Sequence, residues 1–190
     1  VVTTLPAGLS HARNLGLGAS SAPIVAFVDD HGRVEPGWAA AVVAAFDEGA
    51  DAATGPVRPS AGPGAAPCAR GDRLPRWYRG RGASPWEVGG SGNLAVRRDL
   101  LVALGGFDLR LGAGSFGRSG EVTEVVARLL AADRHICVRP DMVVRHPART
   151  ASAQLATRGS DGFGAGRIIR RMRSPHLAAS YGVGLAQEVR

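Results

Sequence analysis

Three side chains able to bind a metal stand side by side at Asp29, Asp30 and His31, directly after the apolar run Ile24, Val25, Ala26, Phe27 and Val28. Two carboxylates and an imidazole offer oxygen and nitrogen donors to a divalent cation. The run before them is rich in branched and aromatic side chains. It reads as a strand buried on both faces, as in a parallel sheet. In open α/β sheets, ligands sit just outside the carboxyl ends of the strands, which is where this acidic pair falls. Asp is also common in turns and at helix N-caps, so on these residues alone the pair either holds a cation or caps a turn. A further imidazole, His146, stands just past the end of the short strand pattern Met142 to Val144, one residue beyond Arg145, much as Asp29 follows its own strand.

The surrounding elements must position these groups. Ser10 to Gly18 reads as a capped helix after Pro6 and Gly8, with Ala12, Leu15 and Ala19 facing inward. Arg13 and Asn14 then lie near its beginning, where an Arg can reach a phosphate; a solvated helix face is the ordinary alternative. Trp38, Ala41, Val42, Ala45 and Phe46 recur at helical spacing after Pro36, with Gly49 as a C-terminal stop. That helix is core. Asp51 to Val57 predicts a short strand. Residues 58–88 hold five Pro and scattered Arg, with Trp77, Tyr78 and Trp86 among them. So long a loop either stacks on a sugar or base or is pinned down by its few large side chains. Gly89 to Val96 is a glycine-rich approach to a strand, and Arg97 to Leu104 a short helix stopped by Gly105 and Gly106. Without GKS, GKT or a GxGxxG opening a helix, phosphate-loop and dinucleotide folds lose support.

A second glycine-rich loop, Gly112 to Gly120, leads into a helix from Glu121 to Ala132. Val122, Val125, Val126 and Leu129 form its apolar face, and Glu121, Glu124 and Arg128 its opposite side. Glu124 and Arg128 make an i,i+4 pair worth a few tenths of a kcal/mol, and Glu121 in the first turn complements the helix dipole. His135 to Val138 predicts one more short strand. Beyond His146, Arg158, Arg167, Arg170, Arg171 and Arg173 lie in a glycine-containing basic segment, a solvated tail or a basic helix against a membrane surface.

Composition bounds the rest. A chain of 190 residues fits one domain with a proper core. The net charge of +7 suits phosphate-bearing or membrane-surface partners. All 23 basic residues are Arg, which together with abundant Ala and Gly points to a GC-rich, bacterial genome rather than to function. Cys68 and Cys137 form no CxxC and suggest a reducing compartment with buried or incidental thiols. No apolar run reaches the roughly 18 residues of a membrane span. The start, VVTTLPAG, shows neither Met nor a signal-peptide pattern.

The order ARN, FVDDH, EPGW, a GN-containing strand followed by RR, then GGFD, GE..E...RL and V.H resembles family 2 glycosyltransferases over roughly Pro6 to His146. The resemblance implies an α/β GT-A fold, a mixed sheet flanked by helices. It further implies inverting transfer of a sugar from a nucleotide-diphosphate donor to an acceptor hydroxyl, assisted by a divalent metal, manganese or magnesium. Asp29, Asp30 and His31 match the family's DxD region, here D-x-H. The first Asp usually faces the ribose or metal, and the last position ligates the metal. His146 matches a histidine that completes the metal shell in some relatives. Arg13, with Asn14 beside it, matches the ARN segment near the donor. Gly92 and Asn93 match the segment lining donor sugar and acceptor.

Two departures stand out. Relatives carry an acidic pair at the start of the late helix, its second carboxylate usually the general base. Here the pair is Glu121-Val122, so Glu121 or, less well placed, Glu124 must serve as base, or activity has been lost. The family also begins with strands bearing uracil- and ribose-binding groups that this sequence does not show. The expectation is therefore a GT-A domain over 1–150 lacking its first strands, with a long Pro/Gly/Arg-rich loop at 58–88. A basic tail or helices follow at 151–190. The protein is expected to be cytoplasmic or membrane-peripheral, its acceptor a polysaccharide, lipid or small molecule. A degenerate, non-catalytic sugar-nucleotide- or partner-binding protein is the alternative. Nucleic-acid binding is weaker still, because the arginines are dispersed and no known module is visible.

Overall fold

The computed structural model describes residues 7–60, 74–89, 92–147 and 164–170. The element order is α1 (Leu9–Ala19), β1 (Ile24–Val28), β2 (Arg33–Val34), α2 (Trp38–Asp47), β3 (Ala52–Thr54), β4 (Val57–Pro59), β5 (Arg76–Tyr78), β6 (Asn93–Arg97), α3 (Arg98–Ala103), α4 (Glu121–Ala131), β7 (Ile136–Val138) and β8 (Val144–His146). A five-stranded sheet runs β1-β6-β3-β7-β5, and a three-stranded sheet runs β2-β8-β4. Within the larger sheet, β6 is antiparallel to both neighbours while β3 and β7 are parallel. The sheet is mixed.

Strand alternation divides the core into two layers. Val25, Phe27, Ala52, Leu94, Val96 and Ile136 face one side, where they meet Leu17 of α1, Leu101 of α3 and the Val122, Val125, Val126 and Leu129 face of α4. Phe107 closes this layer against Phe27, edge to face at 4.9 Å, an arrangement worth about 0.5–1.5 kcal/mol beyond area burial. Ala53, Ala95 and Cys137 face the other side, against Ala41, Val42, Ala45 and Phe46 of α2. Alanines on both surfaces let α2 lie close to the sheet. Burial also raises the Cys137 thiol to about 11, which leaves it an inert core group. Cys68 lies outside the described residues.

Several local expectations change. β1 pairs antiparallel with β6 alone among the described strands, and Ala26 is exposed. Among the described residues it is therefore an edge strand, with Val25 and Phe27 buried on one face and the other face covered only in part, where Ile24 packs against the α2 layer. Ala12 and Ala19 of α1 are exposed; Ser10, Arg13 and Leu17 are its buried residues. The helix turns a polar stripe inward because of what waits there, described below. The segment predicted as one strand over Asp51–Val57 is two, β3 and β4, which join different sheets. The break falls at Gly55 and Pro56. A Cβ on Gly55 would lie 2.2 Å from the Met142 carbonyl oxygen and 2.7 Å from that of Arg139. Gly55→Ala is expected to destabilise the fold by about 1–3 kcal/mol through overpacking. The test is a lowered urea midpoint at constant slope; an unchanged midpoint would mean that the 139–142 turn yields freely.

The 58–88 segment carries β4 and β5 at its ends, with Trp77 exposed on β5. Residues 61–73, including Arg70 and Arg73, lie outside the described residues. Residues 164–170 are helical. Ile168 packs against Leu111 and Ala127, so this turn's apolar side is used on the protein itself. Arg158, Arg171 and Arg173 lie outside the described residues. Among the described residues no helix is long and apolar enough to cross a membrane.

Candidate active site

The site forms where the two sheets meet. β1 ends at Val28, and Gly32 N–H donates to the Asp29 carbonyl at 2.8 Å, closing a tight turn. The chain then enters β2, which pairs with β8 through Arg33–Arg145 and Val34–Val144. One step further along this register places His146 opposite Gly32, beside the turn. Glu35 anchors the pairing from α2's side: it bonds Arg145, while its N–H donates to the Val143 carbonyl at 3.0 Å.

Asp29, His31 and His146 come together, their ligand atoms all within 4.8 Å of one another. The two imidazoles stand edge to face with centroids 4.0 Å apart. His146 Nε2 lies 3.9 Å from Asp29 Oδ2. Its Nδ1 is 3.1 Å from the Pro147 carbonyl oxygen. A carbonyl only accepts, so Nδ1 carries the hydrogen and the Nε2 lone pair points to the site. His31 is oriented in the same way: its Nδ1 lies 2.6 Å from Asp30 Oδ1, which leaves Nε2 for a ligand. Such outer partners fix ring orientation in metal sites.

Asp30 therefore has a different place from the one expected of a ligand. It occupies the tip of the turn, fully exposed, and the hydrogen bond from His31 lowers its carboxyl below the ordinary range. Turn geometry sends neighbouring side chains in different directions, so Asp29 faces the protein and Asp30 faces water.

Arg13 is also placed differently from a phosphate contact. One terminal nitrogen donates to Asp29 Oδ1 at 3.1 Å, the other to Glu121 Oε1 at 2.6 Å. Its guanidinium carbon sits 5.4 Å from the centroid of the Phe107 ring. Asn14 is occupied by Phe107 on both sides of its amide: Nδ2 donates to the Phe107 carbonyl at 2.8 Å, and Phe107 N–H donates to Oδ1 at 2.7 Å. It clamps α1 to the GGFD segment.

Gly92 lies against Asp29. A Cβ there would come within 2.9 Å of Asp29 Oδ2, so glycine preserves the space beside that carboxylate. Asn93 is wholly buried, its amide donating to Met142 O at 2.6 Å and accepting from Trp38 Nε1 at 3.0 Å. Its side chain ties α2, β6 and the 139–142 turn together and does not line the cleft. Trp38, expected as core alone, contributes that hydrogen bond.

The late helix separates the two candidate bases. Glu121 lies at the mouth of α4, buried, with Oε1 on Arg13 and Oε2 beside Gly112. Glu124 is one turn deeper and wholly inaccessible, its Oε2 held by two Arg128 nitrogens at 2.9 and 2.7 Å. Arg128 also donates to the Leu104 and Gly106 carbonyls. The pair predicted as an ordinary i,i+4 contact opposite the apolar face is a buried latch between α4 and the end of α3. Val122 belongs to the core, 2% exposed.

Residues 2–97 match the family described as glycosyl transferase family 2. The chain belongs to that family. Succinoglycan biosynthesis protein ExoM of Rhizobium meliloti (strain 1021) is 31% identical over 187 residues, which cover 94% of this chain and 58% of that protein. The chain thus spans little more than half the length of this relative. Among solved structures, Staphylococcus aureus TarS superposes with a TM-score of 0.57 at 16% identity, covering 92% of this chain and 54% of that one. The mannosyltransferase PcManGT of Pyrobaculum calidifontis, solved with GDP-Man and Mn2+, gives 0.59 at 18% identity, covering 91% and 48%. Both likenesses establish the fold: this family 2 chain has the GT-A architecture of mixed sheets flanked by helices.

Proposed function

We propose that this chain carries the centre of an inverting glycosyltransferase. It would move a sugar from a nucleotide-diphosphate donor to an acceptor hydroxyl, with a divalent cation held by Asp29, His31 and His146. The observation that carries this reading is the convergence of those three groups on one another, with Asp29 linked to Glu121 through Arg13. The donor set fits a metal. Both imidazoles present Nε2, and their Nδ1 atoms have acceptors. Two nitrogen donors suit manganese better than magnesium, which prefers oxygen. When bound, the cation would neutralise charge developing on the departing diphosphate.

The chain's own groups would do the rest. Asp29 and the two histidines fix the leaving-group end, and the absence of a side chain at Gly92 keeps room beside Asp29. Glu121, not Glu124, would take the acceptor's proton: Glu124 is sealed beneath Arg128 and has no route to a substrate. PcManGT's donor and metal support a nucleotide sugar with manganese, and the name of ExoM supports a growing saccharide as acceptor. Work on the cytoplasmic side, with contact to a membrane surface through basic groups such as Arg167 and Arg170, fits the same reading.

Val122 in the core and Glu121 already paired to Arg13 favour a second reading, a family member that binds sugar nucleotide without transferring it. Transfer assays on the protein separate the two.

The metal assignment is tested by calorimetric titration with manganese. Asp29→Ala and His31→Ala should each weaken binding by at least about tenfold, and Asp30→Ala by less, because Asp30 acts only by orienting His31. Unchanged affinity in both Asp29→Ala and His31→Ala would remove the metal from this site.

A further inference from the structure

We propose that Arg13 is a positioning residue that couples the cation-holding side of the cleft to its base side, and that it does not contact the donor. The inference rests on the metal reading above and extends it to a residue that reading does not need. Arg13 has 6% of its side chain exposed, and its two terminal nitrogens reach carboxylates from two separate elements: Asp29 at the end of β1 and Glu121 at the start of α4. Those two residues lie 92 positions apart in sequence, and the described elements that carry them share no strand pairing. A guanidinium is a planar fork of fixed geometry. Holding one carboxylate on each prong, it sets the separation and rotation of both at once.

The polar face of α1 is built to keep that fork still. Ser10 Oγ donates to the Leu111 carbonyl at 2.6 Å, and Leu9 N–H donates to Ala113 O at 2.8 Å. Asn14 makes its paired bonds with the Phe107 backbone. These anchors bracket Arg13 on both sides and tie α1 to the 106–114 segment that precedes α4. The Phe107 ring, itself packed on Phe27, then supports the guanidinium face. Ser10, Arg13 and Leu17 recur at i, i+3 and i+7, the stripe that α1 buries. A contact to a donor phosphate would need terminal nitrogens directed away from both acids, whereas Nη1 and Nη2 are directed at Glu121 and Asp29. The structure places it inside, between two acids.

The consequence is specific. Without the fork, Asp29 loses the bond that orients it toward His146, and cation binding weakens even with no nucleotide present. A direct phosphate contact would behave in the opposite way, leaving manganese alone unaffected and weakening the nucleotide. The experiment measures manganese binding, without nucleotide, by electron paramagnetic resonance on the whole chain and its Arg13→Lys and Arg13→Met variants. Donor KM and kcat are read alongside. Arg13→Lys keeps the charge but cannot span two carboxylates, so it carries the test if Arg13→Met fails to fold.

The expected result is manganese affinity lowered about 10–100-fold, the range for losing an outer partner of a metal ligand, with kcat reduced at near-constant donor KM. A folded Arg13→Lys protein that binds manganese within about twofold of wild type would overturn the inference, as would a raised donor KM with kcat intact. If the wild-type chain binds no manganese, the metal reading fails and this inference fails with it.

Discussion

Glu121→Gln is expected to lower kcat for sugar transfer by at least about a hundredfold, equivalent to about 2.7 kcal/mol of barrier, while manganese binding stays near wild type. An inverting transfer needs one carboxylate within reach of the acceptor hydroxyl. Of the two acids on α4, Glu121 alone lies on the side of Asp29, joined to it through Arg13. Its neighbour Val122 points into the layer formed by Leu94, Val96, Phe107 and Val125. An Asp restored there would bury a charge among apolar side chains, which costs far more than it could return. Under the proposed reading the helix mouth thus offers Glu121 as the base. Gln keeps the shape and still accepts a hydrogen bond from Arg13, so lost transfer would report lost basicity rather than lost structure. Transfer at a near-normal rate in Glu121→Gln would leave this residue structural and favour a base from elsewhere. No transfer by the wild type would favour the binding-protein reading.

Arg128→Met should produce the largest loss of stability, about 3–5 kcal/mol, the usual cost of breaking a buried ion pair by removing one partner. For a domain of this size that corresponds to a melting temperature lower by roughly 6–20 °C. Glu124 is fully inaccessible and Arg128 12% exposed on its side chain, so the pair cannot be exchanged for water when it breaks. Arg128 also satisfies the Leu104 and Gly106 carbonyls at the end of α3. Removing it therefore unfastens α3 from α4 as well as exposing a buried carboxylate to an apolar neighbour. A solvated i,i+4 pair would be worth only about 0.3–0.5 kcal/mol. Thermal melting distinguishes the two figures by an order of magnitude. A shift of a degree or less would mean that the pair opens to water in solution.

The sequence alone determined the kinds of element and the neighbourhood of the chemistry. Apolar residues at helical spacing mark α2 and α4, because burial of one face imposes that period on a helix, and an unbroken apolar run marks β1. The run Ile24–Val28 ending in Asp29, Asp30 and His31 located the candidate cation site, since strand ends and turns are where such residues serve. The order of motifs from ARN to the histidine at the end of β8 carried the family and its fold. Tertiary structure decided which member of each motif does what. The turn closed by Gly32 turns Asp29 inward and leaves Asp30 in water, and the β2–β8 register, formed between residues 110 or more positions apart, brings His146 to His31. The inward face of α1 could not be read from its apolar residues alone, because Arg13 on that face meets a pair of acids, Asp29 and Glu121. Asn93 sits in a motif that reads as ligand-lining, yet its amide is occupied by Trp38 and Met142 from two other elements. Local propensity reports what a segment can form. The partner that satisfies a buried polar group comes from a distant part of the chain, and only the folded arrangement specifies it.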